Sequence, residues 1–331
     1  MPDPSMTSQS QLPNADMAAL LARLAQARVG QPSRYEVPFP QARAQLLAER
    51  EPWLNDGPTC DVSLRSFPAA GRSIDMQVVR PGQCEANRVL VYLHGGGWCV
   101  GSSRTHEAIV RRLAHALKCV AWSIDYALAP EQPFPAGLSD CVAAIEQAAR
   151  EHPGARIIVA GDSAGANLAL GAAMYLRDRC AEGIEATLPD ALLLFYGVYT
   201  DSLSGSSMAA YGDGRYGLSI AAHQRYLNAY FDQCLDQKTD AGGALSDRRY
   251  AFQLNPAADL SGLPPTFLVA AEIDILRDQT WEMASSLRAA GNEMEAMEVP
   301  GVTHGFLAYG AVLTEVGTVI ARAAQFAQRQ P

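Results

Sequence analysis

The sequence predicts an α/β fold, in which a mostly parallel sheet is covered by helices on both faces. From about residue 61, short runs rich in β-branched residues alternate with amphipathic stretches, as strands alternate with crossover helices. The middle and later runs are almost continuously apolar, which is typical of strands buried on both faces. A chain of 331 residues without repeats or low-complexity tracts is expected to form one elaborated domain.

Two helical patterns open the chain, at residues 17–27 and 41–50, and a proline-rich linker separates them. Two β runs follow, one from about residue 61 and one at residues 74–79. Only Ala69-Ala70-Gly71-Arg72 lies between these runs, which suits an antiparallel hairpin at the edge of the sheet. Six further β runs complete the predicted sheet, at residues 89–93, 120–126, 156–160, 191–196, 266–271 and 294–299. Helical periodicity is found between them at residues 109–117, 141–149 and 168–176.

The segment from residue 200 to about residue 262 interrupts this alternation. It has a start rich in serine and glycine, a predicted helix at residues 220–231, and a polar stretch that runs through Arg248-Arg249. An insertion of this length between two core strands is usually functional. We predict a lid that, together with the N-terminal helices, covers the carboxyl edge of the sheet, where α/β proteins bind their ligands.

Composition excludes several classes of function. A formal net charge of −9 argues against nucleic acid or an anionic membrane as a partner. The N-terminus, Met1-Pro2-Asp3-Pro4-Ser5, lacks the features of a signal peptide, and no apolar stretch approaches the length of a membrane span. The seven cysteines are scattered and include no C-x-x-C pair, which predicts reduced thiols in the cytoplasm rather than disulfides or a zinc site. The sequence leaves a homodimer open.

Gly161-Asp162-Ser163-Ala164-Gly165 lies between a predicted buried strand and a predicted helix. A strand, G-x-S-x-G and a helix together form a nucleophile elbow, a tight turn that glycines permit and that exposes the serine hydroxyl above the sheet. The backbone N–H of Ala164 and the positive end of the following helix then lie beside any oxyanion formed there. Ser163 is therefore the candidate nucleophile.

His94-Gly95-Gly96-Gly97-Trp98 follows the β run at residues 89–93. Three consecutive glycines at a strand end expose backbone N–H groups to a substrate oxygen, which is the requirement for an oxyanion hole. We interpret His94 as a hydrogen-bonding residue that stiffens this loop, not as a base.

A hydrolytic serine needs a histidine and an orienting carboxylate, in the chain order serine, acid, histidine. His304 lies in a loop after the last predicted strand, where Gly305 allows a turn. The other histidines precede the elbow or fall in the predicted lid helix: His94, His106, His115, His152 and His223. We expect the three at helical or surface positions, residues 106, 115 and 152, to be solvated. Three carboxylates after the run at residues 266–271 are candidates for the acid: Glu272, Asp274 and Asp278.

These motifs together resemble the hormone-sensitive-lipase-like branch of the α/β-hydrolases, and within it the bacterial acetyl esterases. The matching segments are Y-L-H-G-G-G at residues 92–97, D-Y-A-L-A-P-E at 125–131 with F-P at 134–135, G-D-S-A-G-A at 161–166, D-I-L-R-D at 274–278 and H-G-F at 304–306. The chain departs from the usual pattern at Ala127, Gln132 and Ile275, where the family commonly has arginine, histidine and proline. We expect these departures to affect local packing only.

The resemblance implies an α/β-hydrolase fold with an eight-stranded, mostly parallel sheet and a helical cap. Residues 1–60 would form N-terminal cap helices and residues 61–331 the catalytic domain, with a cap insertion at about residues 200–262. Ser163, Asp274 and His304 would form the triad. The N–H groups of Gly96, Gly97 and Ala164 would form the oxyanion hole, with Gly95 as a helper.

Asp274 is also favoured over its neighbours by position. Glu272 is still at the strand end and has a longer side chain. Asp278 comes one helical turn later, where it suits the N-cap of the next helix.

The implied activity is that of a serine carboxylesterase that acts on short-chain acyl esters, with a small-molecule ester as substrate and without a metal or organic cofactor. Aromatic residues near the site are the candidate substrate-binding residues: Trp98, Tyr196, Tyr211, Tyr216 and Phe306. Two alternatives remain. Arylformamidase-like amide hydrolases share the fold and an H-G-G-x-W loop, and some ligand-binding members of the fold have lost a triad residue. In this chain the serine, the aspartate and the histidine are all present.

Overall fold

The computed structural model describes residues 12–69, 71–231, 247–254 and 258–330. Two parts of the predicted insertion, residues 232–246 with Cys234 and residues 255–257, lie outside the described residues, as does Ala70 of the predicted hairpin. The strands are β1 (Cys60–Ala69), β2 (Arg72–Pro81), β3 (Arg88–Leu93), β4 (Val120–Asp125), β5 (Arg156–Asp162), β6 (Ala191–Phe195), β7 (Thr266–Ile273) and β8 (Met294–Thr303). The α-helices are α1 (Ala15–Ala27), α2 (Phe39–Arg50), α3 (Glu107–Leu117), α4 (Ala136–Glu151), α5 (Ala164–Ala181), α6 (Ser206–Tyr211), α7 (Ile220–Tyr230), α8 (Arg277–Ala289) and α9 (Thr314–Arg329).

The described strands form one sheet of eight, in the order β1-β2-β4-β3-β5-β6-β7-β8. β2 pairs antiparallel with both β1 and β4, and every other pair in the sheet is parallel. The register of the β1–β2 hairpin pairs Ala69 with Arg72, as the short connection predicts. The predicted mostly parallel, eight-stranded α/β sheet is therefore confirmed.

Helices cover the sheet on both faces because its central strands are apolar on both sides. In β5, Ile157 and Val159 belong to the core under α4, α5 and α8, whereas Ile158 and Ala160 belong to the core under α3 and α9. Successive residues of a strand point to opposite faces, so a continuous apolar run supplies both cores at once. Parallel strands also bring their carboxyl ends to one edge, which is where the loops after β3, β5, β7 and β8 meet.

The N-terminal segment and the insertion are in contact with each other. Pro38 is the N-cap residue of α2 and Pro40 is in its first turn, so two prolines of the predicted linker begin a helix instead. α7 begins after Ser219, whose side chain accepts a hydrogen bond from Ala222 N at 3.0 Å. From α7, Arg225 donates to the backbone oxygens of Arg34 and Val37. That these segments act together as a cap stays a prediction.

Cysteine and membrane features can be stated for the described part of the chain. Its six cysteines are free thiols. None of its helices combines the length and the hydrophobicity that a membrane span requires. No group of three or more histidine, cysteine, aspartate or glutamate side chains within these residues has the arrangement of a metal site.

Candidate active site

Ser163 occupies a sharp turn between β5 and α5. Its backbone has φ of 54° and ψ of −120°, a strained conformation for a residue with a side chain. The two flanking glycines are required by contact distance. A Cβ on Gly165 would overlap the carbonyl oxygen of Leu93, and one on Gly161 would overlap the backbone of Gly165. The sequence G-x-S-x-G thus permits a turn in which Ser163 opens into a cleft.

The structure brings three predicted residues into one hydrogen-bonded chain. Ser163 Oγ lies 2.9 Å from His304 Nε2, and His304 Nδ1 lies 2.7 Å from Asp274 Oδ2. Asp274 directly follows the strand β7, and His304 directly follows β8, just before Gly305 with its φ of 77°. With the Nδ1 proton donated to Asp274, Nε2 is left free to accept a proton from the serine hydroxyl.

Burial and a second hydrogen bond fix the Asp274 carboxylate. Asp274 is only 2% exposed, and its Oδ1 accepts from Leu276 N at 3.0 Å while Oδ2 faces His304. A buried carboxylate with both oxygens occupied holds one rotamer. It can therefore keep the imidazole ring oriented toward Ser163.

The neighbouring carboxylates make other contacts. Glu272 Oε2 accepts from Gly301 N at 2.7 Å. Asp278 lies in the first turn of α8 and is not its N-cap, so the predicted capping role is wrong for that helix. Its carboxylate instead accepts from Ser206 Oγ at 2.7 Å and Ser207 N at 2.8 Å, at the start of α6. Asp278 therefore stabilises the N-terminal turn of α6, a helix that the sequence pattern did not indicate.

The glycine loop presents backbone N–H groups on the same cleft. Gly96 and Gly97 have φ of 127° and 57° and line the cleft with Ser163. Among the described residues, the N–H groups of Gly96, Gly97 and Ala164 donate no hydrogen bond. The N–H of Gly95 differs from the prediction, because it donates to Asp162 Oδ1 at 2.9 Å. Gly95 therefore supports the loop and is not a helper in the predicted oxyanion hole.

A buried polar network holds the loop from behind. Asp162 Oδ1 accepts from Tyr92 OH at 2.7 Å as well as from Gly95 N, and His106 Nε2 lies 3.5 Å away. Burial raises the pKa of the Asp162 carboxyl, but His106 and these donors outweigh it and hold the pKa well below its usual range. His106 is only 6% exposed, so its predicted solvation is wrong.

His94 contributes to the same network as a neutral ring. It stacks between His106 and Tyr126 at centroid distances of 5.5 and 4.3 Å. Burial and the nearby His106 lower the pKa of His94 to about 3. Its Nδ1 lies 2.8 Å from the Gly95 carbonyl oxygen, so the neutral ring donates a hydrogen bond to the loop. This is the stiffening role that the sequence predicts for His94.

The candidate substrate-binding residues divide into two groups. Trp98 and Tyr216 line the cleft, which has a volume of about 120 Å³. Tyr196, Tyr211 and Phe306 are buried and are not part of its described lining, so their role in substrate binding stays a prediction. The Tyr196 ring packs edge-on against His304 at 5.1 Å and against Phe306 at 5.5 Å. Tyr196 thus supports the histidine from the core and Phe306 supports Tyr196, and Tyr211, at the end of α6, is also buried.

Helix α7 of the insertion lies over the glycine loop. Trp98 stacks on Tyr230 with the rings 4.4 Å apart and nearly parallel, at 3°. A Cβ on Gly97 would overlap the ring of Tyr226. The glycine at this position thus serves two needs, a positive φ and the close approach of an aromatic ring.

Several lining residues were not indicated by the sequence. α1, α2 and the linker between them contribute Leu24, Arg28, Arg34, Glu49 and Arg50. α7 contributes His223, which is 2% exposed and whose Nε2 has no hydrogen-bond partner among the described residues. Burial and the nearby His304 lower the pKa of His223 to about 4, so this ring is neutral at pH 7. The only signal for His223 was its position in the predicted lid helix.

A comparison with known protein families covers the part of the chain that carries this site. The family model described as the alpha/beta hydrolase fold matches residues 90–308, from β3 to the loop after His304. The chain belongs to the α/β-hydrolase fold family. Within this α/β-hydrolase, the matched range includes the glycine loop, the elbow, Asp274 and His304.

Solved structures of esterases are similar over nearly the whole chain. A hyperthermophilic esterase from the archaeon Pyrobaculum calidifontis has 30% identity and a TM-score of 0.84, covering 96% of this chain and 98% of its own. A thermostable esterase from Pseudomonas putida has 27% identity and a TM-score of 0.82, covering 98% and 99%. An ester hydrolase from the Lake Arreo metagenome, solved with a bipyridine phosphonate derivative, has 31% identity and a TM-score of 0.80, covering 95% and 97%. The prediction that this chain belongs to the hormone-sensitive-lipase-like branch of the α/β-hydrolases is confirmed.

Proposed function

We propose that this α/β-hydrolase is a serine carboxylesterase that hydrolyses short-chain acyl esters of small molecules through an acyl-enzyme. The observation that carries the proposal is the chain of short contacts from Ser163 through His304 to Asp274, at the base of a cleft. The named esterases among its structural relatives support ester hydrolysis. The free thiols of the described cysteines support a cytoplasmic location.

In the first half of the reaction, Ser163 Oγ attacks the carbonyl carbon of the ester. His304 Nε2 accepts the hydroxyl proton as the new C–O bond forms, and Asp274 stabilises the imidazolium that results. The N–H groups of Gly96, Gly97 and Ala164 donate to the oxyanion of the tetrahedral intermediate. His304 then returns its proton to the leaving oxygen, the alcohol departs, and the acyl group remains on Ser163.

In the second half, a water molecule takes the place of the alcohol. His304 accepts a proton from this water as its oxygen attacks the acyl carbon, and the same N–H groups stabilise the second oxyanion. Collapse of this intermediate breaks the bond to Ser163 Oγ, which receives the proton back from His304. The carboxylic acid leaves and the resting enzyme is restored.

We propose further that the N-terminal helices and the insertion form a cap over this site. Support comes from Arg225 of α7, which donates to the backbone oxygens of Arg34 and Val37, and from the Trp98–Tyr230 stack. Both segments line the cleft. The cap would limit the length of the substrate and keep bulk water from the acyl-enzyme.

Hydrolysis of a chromogenic acetate ester, combined with labelling of the nucleophile, tests the proposal. We expect release of p-nitrophenol from p-nitrophenyl acetate and a stoichiometric phosphonate adduct that mass spectrometry locates on Ser163. An N-formyl anilide, assayed in parallel, tests the amide hydrolase alternative. Faster turnover of the anilide than of the ester would favour that alternative, and turnover of neither would indicate a ligand-binding protein.

The pH dependence of ester hydrolysis is a first test of the role of His304. A protonated imidazole cannot accept the Ser163 proton, so the base must be neutral for the first step. We therefore expect kcat/KM for a neutral ester to be low in acid, to rise with pH and then to reach a plateau. A pH profile without such a rise would contradict the role of His304 as a base.

The preference for acyl-chain length is a second testable property of the proposed esterase. The cleft of about 120 Å³ is covered by α1, α2 and α7, and a short acyl chain fills such a cavity better than a long one. We expect kcat/KM of p-nitrophenyl esters to be highest between acetate and hexanoate and to be low for long-chain triglycerides. A palmitate ester cleaved more efficiently than the butyrate would refute this preference.

A further inference from the structure

The guanidinium of Arg50 lines the catalytic cleft without a hydrogen-bond acceptor. Its Nε and Nη1 are buried and have no partner among the described residues. The group lies over the ring of Tyr309, 4.6 Å from the ring centre, and its Nη2 comes within 3.9 Å of the position that a Cβ on Gly305 would occupy. Arg50 therefore reaches the cleft next to the loop that carries His304.

Both oxygens of the adjacent Glu49 carboxylate already accept hydrogen bonds from other side chains. Its Oε2 accepts from Arg28 Nη2 at 2.5 Å and Arg34 Nη1 at 2.7 Å, and its Oε1 accepts from Tyr309 OH at 3.0 Å. Burial raises the pKa of Glu49, but Arg34, Arg50 and Arg28 outweigh it and hold the pKa at about 2. Glu49 is thus ionised at neutral pH, and it neutralises only one of the three guanidinium groups beside it.

This wall of the cleft is consequently positive in a chain whose net charge is −9. The other acidic residue of the described lining is Asp162, which is held by Tyr92, Gly95 and His106 behind the glycine loop. The two buried N–H groups of Arg50 that lack an acceptor are costly, and an anion placed against them would gain both charge neutralisation and hydrogen bonds. Nothing described in the cleft provides that anion.

We propose that the cleft binds esters that carry a second, anionic group, a carboxylate, and that Arg50 binds this carboxylate. The inference rests on the proposed esterase function and adds a substrate class to it. Arginine suits the role because its planar fork donates to both oxygens of a carboxylate. Arg28 and Arg34 add long-range attraction through the positive potential of the wall.

Binding to a chain that cannot turn over tests Arg50 independently of catalysis. In the Ser163→Ala chain, we expect calorimetry to show tighter binding of acetoxyacetate than of its neutral isostere acetoxyacetamide, by on the order of 10- to 100-fold. The same comparison between monoethyl succinate and ethyl succinamate places the carboxylate on the acyl part instead. Adding Arg50→Gln should abolish the preference, whereas Arg50→Lys should retain part of it because the charge remains.

Turnover by the intact chain supplies the second readout. The ratio of kcat/KM for the carboxylate ester to that for its amide isostere should fall about 10-fold or more in Arg50→Gln. Arg322→Gln is the matched control, because it removes the same charge from the exposed face of α9, where Arg322 lies 3.7 Å from Glu295. That variant should leave the ratio unchanged.

The outcomes separate the two proposals. If neither ester pair shows a carboxylate preference, or if Arg50→Gln retains the preference, the Arg50 inference is overturned while esterase activity stands. If the intact chain hydrolyses neither p-nitrophenyl acetate nor any of the four esters, but the Ser163→Ala chain shows an Arg50-dependent preference, the anion site stands and the esterase proposal falls. A circular dichroism spectrum and thermal midpoint close to those of the unsubstituted chain show that each variant is folded.

Discussion

Replacing Ser163 with alanine is expected to lower kcat by about 10⁴–10⁶-fold while leaving the fold intact. In the proposed mechanism the hydroxyl is the atom that forms the covalent bond to the acyl group, and His304 has no other described hydroxyl within hydrogen-bond distance of its Nε2. Alanine removes a single oxygen and keeps the tight turn between β5 and α5. Initial rates with p-nitrophenyl butyrate, together with the thermal midpoint of unfolding, measure both effects.

Ser123 provides a matched control for this substitution. It is buried in β4, and its Oγ has no hydrogen-bond partner among the described residues. Ser123→Ala should therefore leave kcat within a few-fold of the unsubstituted chain. Turnover by Ser163→Ala within tenfold of the unsubstituted chain would show that another group is the nucleophile.

Asp274→Asn is expected to lower kcat by about 10⁴-fold. An asparagine amide turned toward His304 offers an N–H where the imidazole needs an acceptor. The ring then places its proton on Nε2, which can no longer accept the proton of Ser163. The substitution is nearly isosteric and Asn retains an acceptor for Leu276 N, so the loss should appear in kcat with little change in the thermal midpoint.

Asp278→Asn is the contrasting variant, since Asp278 lies one helical turn beyond Asp274. Its carboxylate contacts Ser206 and Ser207 of α6 and the neighbouring Arg277, and not His304. Asparagine keeps one acceptor for these donors, so we expect kcat to be largely preserved and stability to fall by about 0.5–2 kcal/mol at most. A large loss of kcat in Asp278→Asn with normal activity in Asp274→Asn would reassign the acid.

The sheet could be predicted from sequence because its strands are short apolar runs separated by clear helical periodicity. The order of the strands could not, since nothing in the local pattern states that β4 lies between β2 and β3. α6 was missed because six residues are too few to show a helical period. Its first turn is fixed by Asp278 from a distant helix, a tertiary contact without a local signal.

Site residues were predictable where backbone geometry or chemistry restricts the residue type. Gly161 and Gly165 have no room for a Cβ, and among the six histidines only His304 fits the chain order serine, acid, histidine in a loop after a predicted strand. Tyr196 and Phe306 were predicted to bind the substrate as aromatic residues near the site, but both side chains are buried, Tyr196 against His304 and Phe306 against Tyr196. Arg50 gave no signal, because an arginine at the end of an amphipathic helix is usually solvated.

The packing of α7 on the glycine loop limits how this enzyme can be recombined with its relatives. Tyr226 lies against Gly97, and Tyr230 stacks on Trp98. A chimaera that receives a foreign insertion but keeps its own loop would lose the ring partner of Trp98 and change the surface against which Gly97 is positioned. The glycine loop and the insertion are distant in the chain, but their side chains pack against each other. Directed evolution of substrate range should therefore exchange or mutate the two segments together.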